Sequence, residues 1–152
     1  MIGNVYTLAI ASQAQTAAKT LMEVASGAAV VTLLERAYIG QSSFDTSENL
    51  NCKIQRITTT GTGTTTTAVP TQAGTAAAAG TQKTNDTIEP TYTASTVLLA
   101  QGFNVLSGFL WTPANDDEVF AIAPSGLLGI MLDVAPSASM NFSYGATFRQ
   151  IG

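Results

Sequence analysis

Few residues in this chain could do chemistry. The 152 residues contain no histidine, which removes the commonest general base, the commonest zinc ligand and the imidazole of nucleophilic triads together. Cys52, the lone cysteine, has no imidazole to activate it and falls on the apolar face of an expected strand. It reads as a small buried hydrophobe, not a nucleophile, and a single thiol allows no intrachain disulfide. Gly61-Thr62-Gly63 lacks the preceding strand, following helix and lysine of a phosphate loop. Pro124-Ser125-Gly126 reads as a hairpin turn, not a nucleophile elbow. Asp116, Asp117 and Glu118 are consecutive, so they cannot all face one calcium ion, and they read as a solvated turn. Glu23, Glu35, Asp45 and Glu48 could supply the two carboxylates of a glycosidase, about 5 to 9.5 Å apart, but any such domain offers some pair. Asn85-Asp86-Thr87 and Asn141-Phe142-Ser143 match the glycosylation pattern by chance. The expectation is a structural or binding domain, not an enzyme, with no catalytic, cofactor or metal site.

Composition points the same way. The charged fraction is 11%, less than half the usual level of about 25%, and Thr, Ser, Gly and Ala take its place. With 45% hydrophobic residues the chain can fill a core, so it is not a disordered sequence. A neutral, small-residue surface suits close contact with a partner, because few ions must be desolvated. The six basic residues are scattered and the net charge is −4, so no nucleic-acid partner is expected. No apolar run reaches the roughly 20 residues of a membrane helix. Residues 1–4 carry no basic run ahead of the apolar stretch at 5–11, so no signal peptide and no membrane association are expected.

The elements are expected to be strands. Met140, Phe142, Tyr144, Ala146 and Phe148 alternate with Asn141, Ser143, Gly145, Thr147 and Arg149, a period of two that puts one face on a core. Before it, 126–134 and 119–123 read as two short strands around the Pro124-Ser125-Gly126 turn, a spacing typical of a sandwich or barrel. Further strands are expected at 5–10, 50–58, 93–100 and 104–112, with Gln101-Gly102 as a turn between the last two. In 50–58, Leu50, Cys52, Ile54, Arg56 and Thr58 share a side, and Arg56 must reach the rim or a partner. Residues 11–39 are ambiguous. Ala14, Ala17, Ala18, Leu21, Met22 and Ala25, then Val30, Leu33, Leu34, Ala37 and Tyr38, have helical spacing. The alternative is two strands, 19–25 and 29–39, joined at Ser26-Gly27. The 26 residues from Ile57 to Gln82 carry no charge and read as a long surface excursion, extending to about residue 90, that orders against a neighbour.

The run AQTAAKTLMEVASGAAVVTLLERAYIGQSS, the segment GFNVLSGFLW and the ending EVFAIAPSGLLGIMLDVAPSASMNFSYGATFRQIG resemble the jelly-roll decoration (cement) proteins of tailed-bacteriophage capsids. Together they cover about half the chain. The resemblance implies a single jelly-roll domain over 1–152 of about eight strands, with strands at 19–39. It also implies a homotrimer on the outer capsid surface of a virion, with the major capsid protein as partner. The family typically ends on an acidic residue before Ile-Gly, where this chain has Gln150. The alternative is a receptor- or glycan-binding module of a tail fibre or spike, for which Trp111 and Tyr92 are the candidate sugar-stacking aromatics.

Overall fold

The computed structural model describes residues 3–43 and 47–152. The chain forms β1 (Asn4–Gln15), β2 (Lys19–Ala25), β3 (Val31–Gln41), β4 (Asn49–Thr59), β5 (Thr62–Thr65), β6 (Val69–Pro70), β7 (Lys83–Ile88), β8 (Thr91–Asn104), β9 (Phe109–Trp111), β10 (Phe120–Ile122), β11 (Leu127–Leu132) and β12 (Met140–Ile151), with one 3-10 turn at Asp116–Glu118. Every pairing is antiparallel. One sheet runs β10-β3-β12-β1-β6, with β9 sharing the β3 edge with β10; the other runs β5-β7-β2-β11-β4-β8. Setting aside β5 to β7, the long strands alternate between sheets except that β4 and β8 stay together. That order is a jelly roll, two Greek keys facing one another. The eight-stranded frame expected from sequence is therefore present, with β9 and β10 together filling one strand position.

The core lies between the sheets. Leu8, Leu34, Ile39, Phe142, Tyr144 and Phe148 from one sheet meet Met22, Val24, Ile54, Leu128 and Ile130 from the other, all at 1% exposure or less. The C-terminal alternation is the inner and outer face of β12, which is central in its sheet.

The helical spacing of 11–39 has a physical source. Leu34 pairs with Phe148 and Arg36 with Thr147, so Glu35 is an extra residue in β3. The bulge sets Leu34 and Ala37 three apart on one buried face, which mimics a helix. In β2 the signal fails differently: six of seven residues are buried, so the period of two is erased. The turn expected at Gln101-Gly102 is absent. Both residues pair with β4, opposite Cys52 and Asn51, and the chain turns instead at 105–108, where Gly108 has φ +74°. Arg56 lies opposite Leu128 at the sheet end and donates to the Ala121 carbonyl of the other sheet at 2.8 Å. It is at the rim and paired at once.

Each sheet carries a tyrosine laid over a glycine on a central strand. Tyr38 is the cross-strand partner of Gly145, and a Cβ there would lie 2.5–2.7 Å from its phenol atoms. Tyr92 occupies the same kind of place above Gly129, with its Oη 2.5 Å from where a Cβ would be. Gly145→Ala is expected to lose about 1–3 kcal/mol. Because the loss comes from displacing Tyr38, a Tyr38→Ala background should reduce it, which urea denaturation of the double-mutant cycle measures.

Candidate functional site

The jelly roll brings together polar groups that sequence reasoning had treated separately. Glu23 on β2 pairs with Gly129, so it points away from the core face held by Met22 and Val24. It is nevertheless wholly buried, because the chain after β4 crosses above it. Glu23 Oε1 accepts from the Gly61 amide and Oε2 from the Thr60 hydroxyl, both at 2.6 Å. Lys83, the cross-strand neighbour of Glu23, donates to Thr60 Oγ1 and to the Gly61 carbonyl at 2.7 Å. Glu89 completes the group by accepting from the Thr20 amide and hydroxyl at 2.5–3.0 Å. The Tyr92 hydroxyl lies 2.6 Å from the same Thr20 hydroxyl.

Asp86 on β7 is buried against this cluster, and its two oxygens meet no N–H or hydroxyl donor among the described residues. Burial raises its pKa to about 8, helped by a hydrogen bond with Glu23 and by the charges of Glu23 and Glu89, with Lys83 opposing. Burial beside a second carboxyl thus favours the protonated form of Asp86. Gly61 and Gly63 make this possible: a Cβ on Gly61 would lie 2.9 Å from Asp86 Oδ2, and one on Gly63 would collide with Oδ1. The Gly-Thr-Gly spacing thus serves a close approach of backbone to carboxylate, not a phosphate.

A second network anchors the rest of the neutral segment. Gln82 uses its amide as a strand would, accepting from Ala25 N at 2.7 Å and donating to Ala25 O at 3.0 Å. Gln150 does the same to Ala79, at 2.7 Å and 2.8 Å, and also donates to Thr32 Oγ1. Thr32 in turn donates to Ser26. The amide at position 150, where the resemblance has an acidic residue, donates to two acceptors at once. The excursion is therefore ordered in large part against its own domain, through β5, β6, β7 and buried Ala68, and not only against a neighbour. Residues 71–77 at its tip are mostly exposed.

The remaining candidates are dispersed. Cys52 is wholly buried and burial pushes its thiol up to about 12. Asp116, Asp117 and Glu118 form an exposed turn capped by Asn115. Ser125, at φ +59°, donates its amide to Gly27 O in the turn before β11. Glu35 is paired with Arg149 at 2.6 Å, beside a groove of about 380 Å³ that Asp116 also lines. Glu48 accepts from Ser137, and Asp45 lies outside the described residues. Trp111 stacks on Phe120 with centroids 4.4 Å apart. Asn85 sits at φ +53° with its side chain accepting from Lys19 and Gln15, and Asn141 is exposed on β12. Among the described residues no three His, Cys, Asp or Glu side chains converge as metal ligands.

β8 is an edge strand: among the described residues it has β4 on one side and no strand on the other. Its fourteen residues, TYTASTVLLAQGFN, contain no charge, and Val97 is 43% exposed. Tyr92 pairs with Ile57 and Val97 with Gln55, so 93–96 bulge out, held by Thr58, Gln55 and Thr96 on Thr93. A second irregularity leaves Leu98 unpaired between Val97 and Leu99, and 99–104 then pairs continuously with β4.

Comparison with known protein families, with characterised proteins and with solved structures found no match.

Gln150→Glu keeps the size and removes the donor. It is expected to cost about 1–3 kcal/mol at pH 7, since the Ala79 carbonyl and Thr32 hydroxyl lose their partner and a charge is buried. Chemical denaturation checks this, and the loss should shrink at pH 4, where the new carboxyl can be protonated.

Proposed function

We propose that this chain is a structural virion protein, a decoration protein that binds the outside of a tailed-bacteriophage capsid as a homotrimer and has the major capsid protein as its partner. The observation that carries the reading is the uncharged free edge of β8 on a jelly roll. Natural sheets blunt exposed edges with lysine, proline or bulges, because unpaired backbone groups recruit other strands. Here the irregularities at 93–96 and Leu98 protect only part of the edge, and 99–104 is left as a regular strand without a charge. Such an edge suits a protein that works inside an assembly. The neutral composition and the likeness of the C-terminal run to decoration proteins support the same reading.

The function would be mass action. A protein that binds across joints of an assembled shell, and not to its separate parts, favours the shell by RT ln(1 + [L]/Kd) per site. The exposed tip at 71–77 is the part of the neutral segment placed to reach a neighbour. The glycan-binding alternative has no observation in its favour, because Trp111 is stacked on Phe120 and Tyr92 is tied to Thr20.

Co-sedimentation with shells assembled from a tailed-bacteriophage major capsid protein of the same genome tests the proposal, with light scattering for the trimer. Wild-type protein is expected to pellet with shells. Val97→Lys combined with Gln101→Lys should weaken attachment or trimer formation at least about tenfold, roughly 1.4 kcal/mol, with an unchanged circular-dichroism spectrum. Failure of the wild type to bind shells would overturn the decoration role, and unchanged behaviour of the lysine variant would overturn the role of the edge.

A further inference from the structure

The chain from 60 to 63 forms a strap pinned between a buried carboxyl pair and the turn that follows β7. Below it, Glu23 accepts from Thr60 and Gly61. Above it, Gly61 packs on Ile88 O and Pro90 N, closer than any side chain would allow. Asp86 has both oxygens buried without a donor other than the carboxyl of Glu23. A fully ionised pair in that place would be two adjacent charges out of water, which proteins avoid by keeping a proton or by opening.

We propose that Glu23 and Asp86 form a proton-operated latch: the proton held on Asp86 keeps the 60–63 strap seated on β2, and rising pH favours opening of the strap so that Asp86 can ionise in water. The charged and titratable groups facing the pair come from every neighbouring element. Lys83 on β7 is the cation that grips the strap, while Lys19 on β2 is engaged by Asn85. Glu89, on the turn after β7, adds a like charge and is held by Thr20. Tyr92 on β8 and Tyr144 on β12 feel the charge of Asp86 and are both pushed up, chiefly by burial, so they stay neutral over the working range. Among the described residues Lys83 opposes the accumulation of negative charge at Asp86.

The sign follows from proton binding. Asp86 is held protonated when the strap is closed and has an ordinary carboxyl pKa when it is open, so the closed state binds more protons between these two values. Its contribution is fully present below about pH 4, the ordinary carboxyl value. It is lost as pH rises towards about 8, the folded value, and is level beyond. In that window strap opening should become about tenfold easier per pH unit.

The test is amide hydrogen exchange of Gly61 in the full-length protein from pH 5 to 9, corrected for the intrinsic pH dependence of exchange. Protection is expected to fall steeply up to about pH 8 and then flatten. Asp86→Asn, which can donate to Glu23 and has no proton to lose, should abolish the slope while Thr66 and Ala79 stay protected. A pH-independent Gly61 amide in the wild type, or a slope that survives in Asp86→Asn, would overturn the latch. If that variant does not fold, the carbon-13 carboxyl titration of wild-type Asp86 decides. A midpoint near 8 agrees with the proposal, and one in the ordinary range of about 4 contradicts it.

Discussion

The structure depends on β2 being buried from both sides. Its core face carries Met22 and Val24, as any sandwich strand would. Its other face, with Thr20, Glu23 and Ala25, would be in solvent in a bare jelly roll, yet all three are buried. Glu89 and Tyr92 cover it at Thr20, and the neutral segment after β4, which has few large apolar side chains to hold it by hydrophobic burial, covers the rest. It is held by side chains that imitate backbone or satisfy it: Glu23 on Gly61, Gln82 on Ala25, Gln150 on Ala79. The large majority of buried polar groups are bonded, and here the bonding itself fixes the path of the chain.

That arrangement accounts for the composition. A segment of Thr, Ala and Gly can lie flat on a sheet because it brings little bulk, and the glycines permit contact where a Cβ could not fit. Thr60 and Thr66 supply hydroxyls along the way, the first to Glu23 and the second to Thr84 on β7. Low charge in this segment is what close backbone packing on a polar sheet face requires, as well as what a docking surface would favour. One sequence feature therefore has two physical uses, and only one of them concerns a partner.

The fold was legible where one face was dry and the other wet. β12 and β4 kept that contrast, so their alternation could be read directly, and the short strands before β12 were marked by turn residues. It was illegible where the contrast vanished: in β2, covered on both faces, and in β3, where the bulge at Glu35 imposed a false helical spacing. The resemblance, not the periodicity, implied strands there. β8 was divided in two because Gln101-Gly102 looks like a turn, whereas at an edge a glycine costs little and the pairing with β4 continues. The buried cluster was scarcely legible at all. Glu23 looked like one of ten interchangeable carboxylates, and Asp86 like the middle of a chance glycosylation triplet. Their meeting depends on strand register between β2 and β7, which no local pattern encodes. The one available signal was Gly-Thr-Gly, which announced a close approach without saying to what.

The central claim is that the neutral segment is a layer of the fold, not a free arm. Backbone amide exchange of the wild-type protein at pH 5 tests it directly, at Thr66, which donates to Gln82 O, and at Ala79, which donates to Gln150. The account predicts protection comparable to that of the β2 amides, lost together with them on global unfolding. Exchange at the rate of an unstructured peptide at both positions, with β2 still protected, would contradict it.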